Sequence, residues 1–285
     1  MKKVWGIIHY DDEDNRLIGI KNHHQILYFR LAKNQIKTFS RYLEKGIYIK
    51  FETNMLLKHN NFISYYEIIN VLNIACATPR GLISFYDDKT LKDGFKEVIN
   101  KPTYRMFLDL EFSMPPFNYK GKAFYSEIIE YGIILEDDKG NLISSKKGYI
   151  KPKCKLGISD RTLSFLHEDK ANIENASNFT YFYNVLKDYL VMYQPVIYIW
   201  GRNDYLMLQK AYQRYNLKAL TSRANFINLM QIMKTYYHIK DDIGLYSAFD
   251  LFLENPPMAI QDHDPLHDAA ATSKIYHLFS SEINN

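Results

Sequence analysis

The chain has 285 residues, 47% hydrophobic and 24% charged, close to the averages of folded domains; it can bury one large core or two ordinary ones and is not a disordered tail. Two cysteines, Cys76 and Cys154, are too few and too separated for a disulfide framework or a thiolate zinc site, which points to a reducing, cytoplasmic setting. The formal net charge is +4, with 15 basic against 11 acidic residues in 1–100 and 21 of each thereafter; the excess permits an anionic partner for the N-terminal third without demanding one.

The opening MKKVWGIIHYDDED has only a short apolar run before its acidic residues, and no stretch approaches about 18 uninterrupted apolar residues, so neither a signal peptide nor a membrane span is expected. The first 75 residues read as five short strands, at 3–10, 17–21, 25–31, 46–52 and 62–74, with an acidic turn at 11–15 and a longer segment at 32–45. Five strands in so short a stretch suit a closed barrel, because closure removes exposed edges. Their order and spacing resemble cold-shock or OB-type barrels, which implies an all-β OB-like domain at 1–75. That family's aromatic nucleic-acid motif on the second strand stands here as Leu17, Ile18, Gly19 and Ile20, so base stacking would fall to Trp5, Tyr10, Tyr28 or Phe29, some of which must instead fill the barrel.

Residues 76–102, with Pro79, Gly81 and a short helix at 90–99, read as a connector. From 103 to 285 strands alternate with helices: strands at 106–112, 128–135, 142–150 and 196–200, and helices at 179–193, 204–215, 228–237 and 265–280. This pattern predicts a mixed α/β sheet flanked by helices.

In MFLDLEFSM, strand alternation puts Asp109 and Glu111 on one face and Leu108 and Leu110 on the other. Burying two like charges costs several kcal/mol unless a cation or donors compensate, so a metal is the natural partner; taken alone, the pair also suits a solvated strand end. Asp204 follows the apolar strand PVIYIW in GRND, at the carboxyl end of a strand where α/β ligands bind; by itself it also suits an acid in a first helical turn. In QDHDPLHDAAA, Asp264 can cap a helix with Pro265 at its first position, leaving His263 in the preceding loop and Asp268 in the first turn.

Together these pieces are more specific than any one of them. D-x-E on a strand, an aspartate after a later strand and H-x-x-x-x-D opening the last helix follow in order over about 160 residues. Carried by DLEFSMPP, EIIEYG at 127–132, WGRND at 200–204 and HDPLHDA at 263–269, they are similar to the DnaQ-like exonucleases of the DEDD class, histidine (DEDDh) subtype. The branch that holds KapD and the three-prime histone-mRNA exonucleases looks nearest. The resemblance spans 103–281. It implies a ribonuclease H-like fold, metal binding by Asp109, Glu111, Asp204 and Asp268, and general-base duty for His263. It also implies contacts to the terminal nucleotide from Ser113 and Met114. Pro265 departs from the small residue that many members carry there, and His267 does not fit the spacing to Asp268.

Phosphodiester hydrolysis needs an activated water, stabilised phosphoryl oxygens and a stabilised leaving oxygen, needs that two Mg²⁺ or Mn²⁺ ions about 3.5–4 Å apart can meet. Carboxylates supply the oxygen ligands these ions prefer, and an imidazole with a pKa of about 6.5 can accept the water's proton. The expected activity is metal-dependent 3′-to-5′ release of nucleoside 5′-monophosphates from single-stranded RNA or short oligonucleotides, with RNA favoured over DNA. The alternatives are a DNA exonuclease of repair or proofreading and a non-catalytic nucleic-acid-binding protein of the same fold. The second of these predicts a missing acid or histidine, and none is missing. Lysines 146, 147, 151, 153 and 155 suit phosphate contacts, but a solvated basic edge is the favoured reading.

Overall fold

Two units, Met1–Val98 and Ile99–Asn285, make up the chain in a computed structural model that describes residues 1–60, 63–121, 123–253 and 263–285. In the first unit, alternation along β1 (Lys2–Asp12) turns Ile8 inward and leaves Lys3, Trp5 and Ile7 exposed. The same period in β2 (Leu17–Asn22), β3 (Gln25–Arg30), β4 (Tyr48–His59) and β5 (Ser64–Thr78) gathers Ile18, Ile20, Phe29, Ile49, Phe51, Ile68 and Val71 into one core. β1 pairs antiparallel with β2 and β4, β2 with β3, and β4 with β5, while β3 runs parallel to β5 from Tyr28 opposite Tyr65 to Arg30 opposite Glu67. The pairings thus run round a circuit of five strands, β1-β2-β3-β5-β4.

Three expectations change here. The segment 32–45 holds a seven-residue helix, α1 (Lys33–Phe39), too short for a strong periodic signal; Gln35 pins it by donating to Ile69 O at 2.8 Å. The stretch read as a connector continues the sheet: β5 runs to Thr78, turns, and returns as β6 (Gly81–Asp87) before α2 (Asp88–Asn100). Pro79 and Gly81 therefore punctuate a hairpin, with Gly81 at φ +122°, and the boundary between units falls near residue 98, not 75 or 102. Phe29 is fully buried against Phe51 and Tyr66, at centroid distances of 4.8 and 5.7 Å, so it is no stacking platform. Tyr10 and Tyr28 pack edge to face, whereas Trp5 is 62% exposed. Phe62, expected to open the fifth strand, lies outside the described residues.

The second unit has a five-stranded sheet ordered β11-β10-β7-β8-β9, built from β7 (Arg105–Phe112), β8 (Ile128–Glu136), β9 (Leu142–Tyr149), β10 (Val196–Ile199) and β11 (Phe226–Asn228). β7–β8 and β8–β9 are antiparallel; β10 lies parallel to β7 and to β11. Every residue of β8 is buried because helices cover both faces. Met106, Leu108 and Leu110 pack with Phe182 and Leu186 of α5 (Phe179–Tyr193) and Leu208 of α6 (Asn203–Arg214). Phe107 faces the other way, toward Met233 of α7 (Leu229–Tyr236) and Tyr276 and Phe279 of α8 (Pro265–Asn284). Two short helices, α3 (Asp160–Leu166) and α4 (Lys170–Glu174), went unpredicted; α3 is fixed by its Ser159 cap, which accepts from Thr162 N.

Gly132 explains how α8 comes so close to the sheet. It sits opposite Asp109 in the β7–β8 register, and a Cβ there would lie 2.1 Å from Pro265 O. Only a glycine lets the first turn of α8, with Asp268, settle over β8.

Candidate active site

Four chain segments meet where β7 ends. Asp109 and Glu111 share the β7 face that Phe107 occupies, the side of α8. β10 pairs with β7 only as far as Phe107; beyond it Leu110 N donates to Asp204 Oδ1 at 3.1 Å, which ties the start of α6 to the strand end. Asp268, in the first turn of α8, accepts from Tyr246 Oη at 3.0 Å. Glu111, Asp204 and Asp268 are 9%, 4% and 2% exposed, and Asp109 is half-buried.

Burial, together with the charges of Asp204, Glu111, Asp268 and Glu130, raises the Asp109 carboxyl well above the usual range. Burial and Asp268 push Glu111 up to about 9. Asp204 is raised chiefly by burial, partly offset by backbone donors that include Leu110 N. Such carboxylates resist sharing a site as anions.

His263 lies just before the helix in a left-handed conformation, φ 55°. Its Nδ1 is 3.8 Å from Glu111 Oε1, and its ring lies 4.0 Å from Phe165 of α3 at 30°. Glu111, His263 and Asp268 each present a ligand atom within 4.8 Å of the others. Oxygen donors in the majority fit a hard divalent cation, and the mutual repulsion of the acids is what such a cation relieves.

The predicted residues Asp109, Glu111, Asp204, Asp268 and His263 are thus brought together. Ser113 is 1% exposed, and its Oγ accepts from Glu127 N at 2.9 Å. Met114 is fixed through its backbone, with N donating to Thr162 Oγ1 and O accepting from Ser159 Oγ, while its side chain stays half-buried. His267 is exposed, and its backbone N–H donates to the capping Asp264.

Sequence reasoning missed Glu130 and misread Lys147. Glu130, inside EIIEYG, stands opposite Glu111 and is 1% exposed; burial first, against the pull of Lys147, puts its carboxyl at about 7. Lys147 belongs to no solvated edge, since Nζ meets Glu130, Asp264 and Glu168 at 2.7, 2.8 and 3.3 Å. Burial disfavours its charge, but the bonds to Asp264 and Glu130 outweigh burial and raise its pKa. Only the cross-strand register could have revealed either residue.

No family model matches the chain. Over 177 residues it is 23% identical to the probable 3′-5′ exonuclease KapD of Bacillus subtilis (strain 168), covering 62% of this chain and 84% of that protein. Among solved structures, the nuclease domain of 3′hExo, a DEDDh family member bound to rAMP, superposes with a TM-score of 0.53 at 17% identity, over 64% of this chain and 94% of that one. A 3′-exonuclease that recognises the histone mRNA stem-loop at its 3′ end gives 0.52 at 15% identity, over 63% and 83%. The chain is thus similar in sequence to one 3′-5′ exonuclease and, over part of its length, has the mixed α/β fold of two others.

Proposed function

We propose that the protein is a metal-dependent 3′-to-5′ exonuclease that releases nucleoside 5′-monophosphates from single-stranded RNA or short oligonucleotides. The observation that carries this reading is the convergence of Asp109, Glu111, Asp204, Asp268 and His263 at one end of the sheet. The relatives support it: one is named a 3′-5′ exonuclease, and another is bound to a ribonucleoside monophosphate.

Asp109, Glu111, Asp204 and Asp268 would hold two Mg²⁺ or Mn²⁺ ions. When bound, these supply charge neutralisation and Lewis acidity toward the phosphodiester. His263 takes the proton of the attacking water; with Nδ1 turned toward Glu111, Nε2 is the nitrogen left for that transfer. Phe165 holds the imidazole plane from one side. Met114, anchored through its backbone, offers an apolar side chain to the terminal base, and Ser113 fixes the strand end that carries it.

In the N-terminal unit, the five-strand circuit with a helix between its third and fourth strands supports reading an OB-like barrel that retains the strand. Its outward β1 face presents Trp5, with Lys50 opposite, beside Lys3, the aromatic and basic pairing that holds single strands. Incubating the protein with end-labelled RNA and DNA of matched sequence, with Mg²⁺, Mn²⁺ or EDTA, tests the reading. Stepwise shortening of RNA from its 3′ end, absent in EDTA, is the expected result; no cleavage with either ion overturns it.

A further inference from the structure

His263 has neighbours on β7, on α3 and at the cap of α8, and one cation outside the acid cluster joins the end of α3 and that cap to β8, the strand beside β7. Lys147, in the middle of β9, brings its Nζ to Glu130, Asp264 and Glu168. Each carboxylate leads to a different neighbour of His263. Asp264 follows it directly and shares its two oxygens: Oδ1 caps α8 by accepting from Leu266 N and His267 N, and Oδ2 accepts from Lys147. Glu168 stands just past the end of α3, the helix whose Phe165 stacks on the His263 ring; Tyr149 Oη donates to the same Glu168 oxygen at 2.9 Å. Glu130 is directly across the strands from Glu111, whose Oε1 faces His263 Nδ1.

His263 also adopts a left-handed backbone conformation, which costs a non-glycine residue energy that its contacts must offset. The Lys147–Asp264 bond grips the adjacent residue. We therefore propose, on the basis of the exonuclease reading, that Lys147 is a positioning residue. By clamping Asp264, Glu168 and Glu130 to one ammonium group it sets the backbone conformation and ring plane of His263. It touches neither the metal-binding acids assigned above nor the histidine itself.

Lys147→Met keeps the aliphatic stem and removes the charge; Lys147→Arg keeps the charge. Outer-shell partners of a site typically contribute about 10–100-fold. Lys147→Met should lower kcat on a short oligoribonucleotide by roughly that factor, with KM and the Mn²⁺ midpoint unchanged, and Lys147→Arg should recover most of the loss. In a His263→Ala background, Lys147→Met should cost nothing further, because the group it positions is gone. Without substrate, hydrogen exchange at Leu266 and His267 should quicken in Lys147→Met and return toward wild type in Lys147→Arg.

An equal loss in the His263→Ala background overturns the proposal. So does a weakened Mn²⁺ midpoint with kcat intact, which would put the effect on the acids through Glu130. Unchanged exchange at 266–267 overturns it too, even if the wild-type protein cleaves nothing. A wild type that degrades neither RNA nor DNA while the exchange result holds defeats the exonuclease reading and leaves the clamp standing.

Discussion

β7 and β8 are adjacent strands of one sheet, and both carry buried carboxylates, but the protein treats them in opposite ways. On β8 and its approach each acid meets a basic side chain. Arg214 meets Glu127 at 2.9 Å, Lys147 meets Glu130 at 2.7 Å, and Arg105 meets Glu136 at 3.6 Å. On β7 and its neighbour α6, no lysine or arginine among the described residues pairs with Asp109, Glu111 or Asp204. The same sheet therefore supplies internal counter-charges for three acids and withholds them from three others a few ångströms away. An uncompensated buried charge costs several kcal/mol, which is why these carboxyls are raised; on the exonuclease reading, a divalent cation is the partner that carboxylate oxygens select.

The comparison breaks first at the acids of β7 and α6. Asp109→Ala and Asp204→Ala should each reduce cleavage to background, as excess EDTA should in the wild type, with Mn²⁺ titration of each variant as the check. Removing one of several repelling carboxylates should also raise the melting temperature of the metal-free protein. Cleavage at the wild-type rate in either variant would mean the β7 acids are as structural as those of β8.

The next effect in size is at His263. A general base typically contributes about 10²–10⁴-fold, so His263→Ala should lose that much turnover while still binding Mn²⁺, measured by calorimetry. His267→Ala, on an exposed residue beyond the cap, should cost far less. If His267→Ala is the variant that loses turnover, the base has been assigned to the wrong histidine.

The lack of a lysine or arginine beside Glu111 among the described residues should also be visible as a pH dependence. Glu111 is raised to about 9 from an ordinary 4.5 by burial and by Asp268. An acid whose folded pKa is raised contributes stability that is fully present below its unfolded pKa and is lost as pH rises through the folded value. In EDTA, the melting temperature of the wild type relative to Glu111→Gln should therefore fall between about pH 4.5 and 9. Saturating Mn²⁺ should abolish that slope. A difference that stays flat in EDTA would show that the protein neutralises Glu111 by itself.

The sequence made the β7 side of this contrast legible and hid the β8 side. Asp109 and Glu111 interrupt an apolar strand at a period of two, Asp204 follows another strand, and His263 and Asp268 bracket a capped proline-first helix; each is a local signal, and their order did the rest. Glu130 and Lys147 carry no local signal, because a glutamate and a lysine in strands look solvated until the register sets Glu111 against Glu130 and folds Asp264 back onto β9. In the first unit, the strand starts could be read from alternation. The hairpin at Pro79–Gly81 could not, since the residues that make a tight turn also make a linker. Phe29 and Trp5 are both strand aromatics, and only the phase of each strand relative to the core decides that one is buried and the other 62% exposed.

That last difference gives the smallest and most specific test. Base stacking on an exposed aromatic is worth about 1–3 kcal/mol per base, so Trp5→Ala should weaken binding of a long single-stranded RNA by roughly 5–150-fold. It should leave hydrolysis of a dinucleotide, which needs only the catalytic unit, unchanged. Because Trp5 packs outside the core, the variant should melt like the wild type, and any loss cannot be charged to unfolding. Lys3→Gln with Lys50→Gln should instead flatten the salt dependence of binding by about one to two phosphate contacts, since each lysine displaces about one counterion. If affinity and salt slope are both unchanged for long RNA, the β1 face does not hold the strand, and the exonuclease unit must capture its substrate alone.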